Sequence, residues 1–480
     1  MEAPSCCLLL LALSGALGPA LAAPRTHIDT ADTTDMWETG FRLDGHLVPT
    51  HYQITLTPDD ETFQTYNGDL VIDMEVREEA RKEAREEAPK AVREETPMEV
   101  TWDARTIILH AGKELFGFTR FPIVEEVDVG PLSVRSHSHS PNDGQYTIRL
   151  DEPSLLKDHK YRIFIKFSGK LTSDNRGFFR VPLKDGANTK LLAMTQFAPV
   201  HARRAFPCFD EPSFQATFSL SIVHPPRFVA RSTTPVSVTG PSGIGDGFVM
   251  TTFETTPVIS PHSLSWVVTD LDCMGHEQDW VHTFHRDGSA VEDLHAASKA
   301  LLKLLYEYTG QEGPADVYQA VVPLLDRAEG SSLGMVAFRE EAVLKHKQYK
   351  SPVRLAGMLS VANALAQQWF GNVVTPSWWG HAWLAVGFSK LLEYTLVDKT
   401  LPELQMPERF GVMEMMPALA ADSRASAMPL TSDAINKNSE ILAQMGILSS
   451  GKGAALLRML RSMITEETFQ KGVQYYISDM

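Results

Sequence analysis

The sequence predicts an α+β protein with an antiparallel β-sandwich at its N-terminal side and a mainly helical part after it. Short runs that alternate apolar and polar residues, separated by Pro, Gly, Asn and Asp, fill residues 41–275. After about Glu277 the apolar residues recur at helical spacing instead. The chain of 480 residues is long enough for a large core and for about two to four domains of ordinary size.

The first residues have the composition of a secretory signal. Residues 6–18 are apolar, and Ala20-Leu21-Ala22 places small residues at the cleavage spacing, so we expect a signal peptide at 1–22 and a flexible leader at 23–40. An uncleaved anchor is the alternative, but about thirteen apolar residues fall short of the roughly twenty that span a bilayer. The prediction is a secreted or lumenal protein with no transmembrane segment in the mature chain.

Charge and cysteine content exclude some classes of partner and fold. A net charge of -16 with a pI near 5.5 argues against nucleic acid and against an anionic membrane surface. After signal removal the chain keeps Cys208 and Cys273, too few for a disulfide scaffold of this size. We expect two separate buried thiols, with a disulfide between them as the open alternative.

The β-rich part contains clear strands and one foreign segment. Residues 52–56, 161–165 and 218–222 alternate as half-buried strands do. Residues 77–95 instead repeat Arg-Glu-Glu-Ala, and their opposite charges nearly cancel. We interpret 77–95 as an exposed insertion between two strands, because a run of mixed sign offers little net field to a charged partner. A binding tail for a charged partner is the alternative.

The helical part is predicted from the spacing of its apolar residues. Residues 296–308 indicate an amphipathic helix, 317–322 a strand, and 467–476 another helix. Residues 361–372 form a strongly apolar helix that should end where Gly371-Asn372 gives a stop signal.

The run after that apolar helix carries the strongest motif of the chain. Residues 368–379 read Gln-Trp-Phe-Gly-Asn-Val-Val-Thr-Pro-Ser-Trp-Trp, and residues 383–388 read Trp-Leu-Ala-Val-Gly-Phe. Together they resemble the gluzincin zinc aminopeptidases of the aminopeptidase N type. In that family a His-Glu-x-x-His helix supplies two zinc ligands and a general base, and a later glutamate supplies the third ligand.

This sequence has other residue types at the positions that the resemblance assigns to the zinc ligands and the general base. Asn363 and Gln367 stand at the two histidines, Ala364 at the base, and Val386 at the third ligand, nineteen residues after Gln367. Amide oxygens are poor zinc donors beside imidazole or carboxylate, and valine donates nothing. We therefore expect no metal and no other cofactor, with zinc held by substitute ligands as the alternative.

Three further segments resemble the same family. Thr-Gln-Phe-Ala-Pro at 195–199 keeps Gln196, which the resemblance assigns to substrate binding, but has Ala198 where the family has a glutamate. Residues 334–341, Gly-Met-Val-Ala-Phe-Arg-Glu-Glu, resemble the strand after the family's exopeptidase signature, and counting back to 328–333 puts Ser331 at the glutamate that would hold a substrate's amino group. Ser450, before Lys-Gly-Ala, stands at the tyrosine that would stabilise an oxyanion. Glu329 is close to Ser331 in the sequence. We do not expect it to replace the missing glutamate, because a shift of two residues places it elsewhere on the backbone.

Structural roles are expected for several conspicuous residues nearby. Asp210 and Glu211 lie between prolines and should brace a loop rather than form a catalytic pair. His381 and His346 have no His or Cys at helical spacing and are expected to be solvated or core residues. The apolar stripe of Trp378, Trp379, Trp383 and Phe388 is expected to pack in the core.

The resemblance covers residues 41–480 and implies an architecture. It implies a saddle-like sandwich domain at 41–275 and a thermolysin-like domain at 276–480 that is truncated at its C-terminus. The first functional hypothesis is a non-catalytic relative that binds peptides or an extracellular protein. The second is a working zinc metallo-aminopeptidase with substitute ligands.

Overall fold

The computed structural model describes residues 42–479, apart from 61, 78–102, 120, 244–246, 277, 312, 324, 326, 345–351 and 436. The predicted signal peptide, the leader and nearly all of the charged insertion at 77–95 lie outside the described residues, as does His346. The strands that flank the insertion are described, and they end at Val76 and resume at Thr106.

The N-terminal part consists of β-strands, as the alternating runs predicted. These are β1 (Leu47–Pro58), β2 (Thr65–Val76), β3 (Thr106–His110), β4 (Leu115–Phe116), β5 (Ile123–Glu126), β6 (Gly130–Leu132), β7 (Val134–Ser140), β8 (Gln145–Leu150), β9 (Lys160–Lys170), β10 (Gly177–Asp185), β11 (Asn188–Gln196), β12 (Thr217–His224), β13 (Val229–Ser232), β14 (Val236–Pro241), β15 (Val249–Phe253) and β16 (Trp266–Thr269). A short 3-10 turn covers Ala202–Arg204, and another covers Pro261–Ser263.

These strands form sheets that bury one face each. Among the described residues, a nine-stranded sheet runs β14-β15-β12-β1-β2-β9-β5-β6 with β4 beside β9, and a four-stranded sheet runs β10-β11-β16-β13. A three-stranded sheet, β3-β8-β7, accompanies them. Tyr52, Ile54 and Leu56 alternate inward on β1, and Tyr52 stacks on Phe218 of β12 at 4.7 Å. The β1–β12 pair is parallel, which departs from the otherwise antiparallel arrangement expected.

The second part joins a mixed sheet to helices. It contains β17 (Asp272–Met274), β18 (Val281–His285), α1 (Gly288–Thr309), β19 (Val317–Val322), β20 (Glu329–Ser332), β21 (Met335–Arg339), α2 (Glu340–Val343), α3 (Pro352–Ala366), α4 (Trp383–Thr400), α5 (Met406–Phe410), α6 (Met416–Asp422), α7 (Asn438–Gln444), α8 (Gly453–Ile464) and α9 (Glu466–Asp479). Shorter helical turns cover Trp379–His381, Pro402–Leu404, Gly411–Met415 and Leu448–Lys452.

The five strands of this second sheet run in the order β17-β18-β19-β21-β20. Strands β18, β19 and β21 pair in parallel, while β17 and β20 pair antiparallel at the two edges. The expected domain boundary at 275 therefore falls between β17 and β18, two strands of one sheet. Helices α3 and α4 pack beside this sheet, where Phe370 stacks on Phe388 at 4.7 Å. The sandwich followed by this largely helical part confirms the predicted α+β class.

The two cysteines are separate free thiols, as expected. Cys208 is buried, but the expectation of burial is wrong for Cys273, which is exposed because β17 is an edge strand. Burial raises the pKa of the Cys208 thiol well above its usual value. Among the helices of the described residues, none has both the length and the apolar character that crossing a bilayer requires.

Candidate functional site

A cavity of about 280 Å³ lies where the sandwich part meets the helical part. Its wall is built from the loop after β11, from β20, from the end of α3 with the turn that follows, and from the first half of α4. The residues singled out in the sequence that line this cavity are Gln196, Ala198, Ser331, Asn363, Gln367, Val386 and Ser450. Ala364 is fully buried, and its carbonyl oxygen accepts a hydrogen bond from Ser331 Oγ at 2.9 Å. Packing thus gathers segments that are far apart in the sequence.

The end of α3 differs from the predicted helix at 361–372. The helix ends at Ala366, after which the N–H groups of Gln368 and Trp369 bond the carbonyl three residues before them. Gly371 then turns the chain with a φ of 125°, a conformation that glycine permits. Asn372 Nδ2 donates to the carbonyl oxygen of Gln367 at 2.8 Å and satisfies a group that the helix leaves open. Gln367 is therefore in the first turn beyond the helix, although its backbone N–H still bonds Asn363.

The side chains of Asn363 and Gln367 bond each other at the wall of the cavity. Gln367 Nε2 donates to Asn363 Oδ1 at 2.5 Å, and Asn363 Nδ2 donates to Glu393 Oε2 at 2.7 Å. The spacing of four residues put both amides on one side of α3, as the sequence predicted. The amide of Asn363 therefore has both its oxygen and its nitrogen engaged.

A buried charge network continues behind this amide pair. Lys390 Nζ lies 2.7 Å from Glu393 Oε2 and 3.6 Å from Glu414 Oε1, and Tyr394 donates its hydroxyl to Glu414 at 2.9 Å. Burial raises the pKa of Glu393 to about 7, although Lys390 acts to lower it. Burial also acts to lower the pKa of Lys390, but Glu393 and Glu414 outweigh it and raise that pKa above its usual value. Lys390 therefore stays cationic in this site.

The donor set does not fit the zinc ion that the resemblance implies. Val386 has no donor atom, the Asn363 oxygen already accepts from Gln367, and the Glu393 carboxylate is engaged by an ammonium. A divalent cation placed here would face the charge of Lys390 at short range. Within the described parts of the chain, no three His, Cys, Asp or Glu side chains form a group that could hold a metal.

Strand β20 contributes Ser331 and Glu329. Residues two apart on a strand share a face, and both line the cavity, while Glu329 lies two positions from Ser331 on the backbone, as expected from the sequence. Burial raises the pKa of Glu329, although Lys390 acts to lower it. Between them, Gly330 lets Gln196 approach closely, since a Cβ there would lie 2.1 Å from Gln196 Oε1.

Several lining residues were not found from the sequence. These are Arg176, His201, His262, Arg327 and Lys390. Lys390 lies four residues after Val386, so helical spacing was a usable signal that the two share a face of α4. His262 Nε2 donates to the Gly371 carbonyl oxygen at 3.0 Å, and burial lowers its pKa. No local pattern marked the other residues.

The structural roles expected for nearby residues agree with their contacts. Asp210 accepts from the backbone N–H and the Nε of Arg203, at 3.1 and 2.7 Å, and Glu211 accepts from the Leu43 N–H at 2.6 Å. His381 pairs with Asp433 at 3.3 Å near the surface. The stripe of Trp378, Trp379, Trp383 and Phe388 is buried, and Trp379 also lines the cavity.

Ser450 reaches the cavity from the helical turn Leu448–Lys452. Its hydroxyl donates to the Gly446 carbonyl oxygen at 3.3 Å. A serine hydroxyl stands on a shorter stem than a phenol, so it covers less of the cavity than a tyrosine would.

Comparison with known proteins agrees with the geometry. Residues 93–262 match the Peptidase M1 N-terminal domain, and residues 303–480 match the Peptidase family M1 domain. Aminopeptidase N of Bos taurus is 28% identical over 94% of this chain and 46% of its own length. Endoplasmic reticulum aminopeptidase 2 of Homo sapiens is 33% identical over 69% of this chain and 35% of its own length. Aminopeptidase M1-A of Oryza sativa subsp. japonica is 32% identical over 75% of this chain and 43% of its own length. The chain spans less than half the length of these relatives.

Proposed function

The chain belongs to peptidase family M1, and from this premise we propose that it is a non-catalytic member that binds peptides instead of hydrolysing them. The observation that carries the proposal is the hydrogen-bonded chain from Gln367 through Asn363 to Glu393 and Lys390. These hydrogen bonds engage Asn363 and Gln367, the residues at the family's metal-ligand positions, and Lys390 supplies a positive charge beside them.

Several catalytic requirements are missing together. Without a metal, no bound water is activated as a nucleophile, and Ala364 cannot remove a proton. Ser450 is too short to place a hydroxyl where a phenol would reach. Each missing group lowers a rate by about a hundredfold or more, so their joint replacement supports the absence of hydrolysis.

The cavity retains features that suit an extended peptide. Strand β20 lies at the edge of its sheet, and an edge strand can pair with an added strand. The Ser332 carbonyl oxygen already accepts from Gln368 Nε2 at 3.0 Å, so a peptide would pair with the part of β20 before Ser332. Beside it, the Gln196 side chain makes no hydrogen bond to another described residue and can donate to or accept from a peptide amide. A protein partner that inserts a segment is compatible with the same surface. The signal-like start of the sequence supports a secreted or lumenal site of action.

Elemental analysis and an activity assay test the lack of catalysis. We expect no stoichiometric zinc in the purified full chain and no chelator-sensitive release of amino acids from aminoacyl fluorogenic substrates. A matched variant restores the family donors through Asn363→His, Gln367→His and Val386→Glu. Zinc in this variant but not in the natural chain would support the proposal, whereas zinc and hydrolysis in the natural chain would refute it.

Calorimetry with a pool of pentapeptides tests the binding function. We expect saturable binding by the natural chain and weaker binding by Gln196→Ala, because the substitution removes an amide that faces the cavity. The variant Gln64→Ala is the control, since Gln64 is exposed and outside the cavity lining. Absence of binding to every pool would refute the peptide-binding proposal.

A further inference from the structure

The charged side chains of the cavity differ in sign from the chain as a whole. The protein carries a net charge of -16, yet the lining contains the cations Arg176, Arg327 and Lys390 against one carboxylate, that of Glu329. Lys390 is already neutralised by Glu393 and Glu414. An anionic ligand would therefore meet an arginine of the lining rather than Lys390.

Arg327 is the cation best placed to meet a ligand. It precedes β20, is exposed at the cavity, and makes no hydrogen bond or ion pair within 4 Å to another residue that the structure describes. A guanidinium presents paired N–H donors in a plane, which match the two oxygens of a carboxylate. Glu329, two residues later on the chain, also lines the cavity, and burial raises its pKa, which weakens its competition for the guanidinium.

A histidine, His201, also lines the cavity. Burial and then the charges of Arg204, Arg176 and Arg203 lower the pKa of His201 to about 3. His201 is therefore neutral at physiological pH and adds no negative charge to the wall.

We propose that the cavity binds a peptide by a carboxylate, with Arg327 as the principal cation and the Gln196 amide as a second donor. The proposal rests on the proposed peptide-binding function and names the chemical group of the peptide that is held. It reverses the polarity that the family resemblance implies, in which acids at positions 198 and 331 would hold an amino group. Ala198 and Ser331 carry no charge, so an ammonium has lost its two partners there.

Four forms of penta-alanine test which end is recognised, using calorimetry on the full chain at low salt. The forms are unmodified, N-acetylated, C-amidated, and modified at both ends. We expect C-amidation to weaken binding about tenfold to a hundredfold, the range for a hydrogen-bonded charged group, and N-acetylation to change it less than threefold. A fifth peptide, C-amidated with glutamate as its last residue, shows whether a side-chain carboxylate serves as well as a terminal one, and its binding would also support the proposal.

Two variants connect the effect to Arg327. Arg327→Gln should bind the unmodified peptide as weakly as the natural chain binds the amidated one, and amidation should then have no further effect. The matched control Arg424→Gln removes an exposed arginine outside the cavity and should behave as the natural chain does. Binding that is lost on N-acetylation but not on C-amidation would overturn the carboxylate proposal while leaving peptide binding intact. No binding of any form would overturn both proposals.

Discussion

Replacing Lys390 by methionine tests the charge network beside the cavity. Lys390→Met keeps an aliphatic stem of similar length but removes the ammonium that lies 2.7 Å from Glu393 and 3.6 Å from Glu414. The Glu393 carboxylate is 2% exposed and would lose its close cation without gaining water. Breaking a buried ion pair by removing one partner costs about 3–5 kcal/mol of unfolding free energy. The Lys390 side chain is 20% exposed, so we expect the lower end, about 3 kcal/mol.

The size of this loss should depend on pH because Glu393 titrates. Its pKa is raised from 4.5 to about 7 in the folded protein, so the folded state binds this proton more tightly than the unfolded state. This rise corresponds to about 3 kcal/mol of stability that is present below pH 4.5 and is lost as the pH rises through 7. In the variant the opposing effect of Lys390 is gone and the Glu393 pKa rises further. The loss relative to the natural chain should therefore be small at pH 5 and largest above pH 8.

Urea denaturation at pH 5, 7 and 9, followed by tryptophan fluorescence, measures these losses. Adding Glu393→Gln to Lys390→Met should recover most of the stability at pH 9, because a neutral amide then replaces the most buried carboxylate and Glu414 keeps its hydrogen bond from Tyr394. The control Lys471→Met removes an exposed lysine paired with Glu467 and should change the midpoint little at any pH. Equal losses at pH 5 and pH 9, or no recovery in the double variant, would refute the assigned role of the ion pair.

Two further predictions concern the packing around the cavity. Arg203→Ala should lower the free energy of unfolding by about 3–5 kcal/mol, because Asp210 would stay buried without its cation. Chemical denaturation at neutral pH measures this loss, and a loss below about 1 kcal/mol would contradict the prediction. Gly380→Ala should destabilise by about 1–3 kcal/mol, since its Cβ would lie 1.8 Å from a backbone carbonyl oxygen, that of Ser432. The control is Gly411→Ala, because a Cβ at position 411 would have no packing neighbour within 4 Å, and it should leave the melting temperature unchanged or raise it. Equal melting temperatures for the two glycine variants would count against close packing at Gly380.

Local spacing in the sequence predicted much of the fold. Alternation along 52–56 identified β1, because a strand turns successive side chains to opposite faces. The four-residue interval between Asn363 and Gln367 placed both amides on one side of α3 before any contact was known. The family resemblance, which compares Val386 with a ligand nineteen residues after Gln367, implied that this part of α4 would meet that helix, and both residues line the cavity.

Only the tertiary structure decided which charges meet around the cavity. Helical spacing put Lys390 and Glu393 near Val386, but it could not specify that their partners would be Asn363 on α3 and Glu414 beyond α5. Arg327 and Gln196 are more than a hundred residues apart and line one cavity because β20 is an edge strand facing the sandwich part. Periodicity records which face of an element is buried, whereas the sign of the field in a cavity depends on groups that only long-range packing assembles.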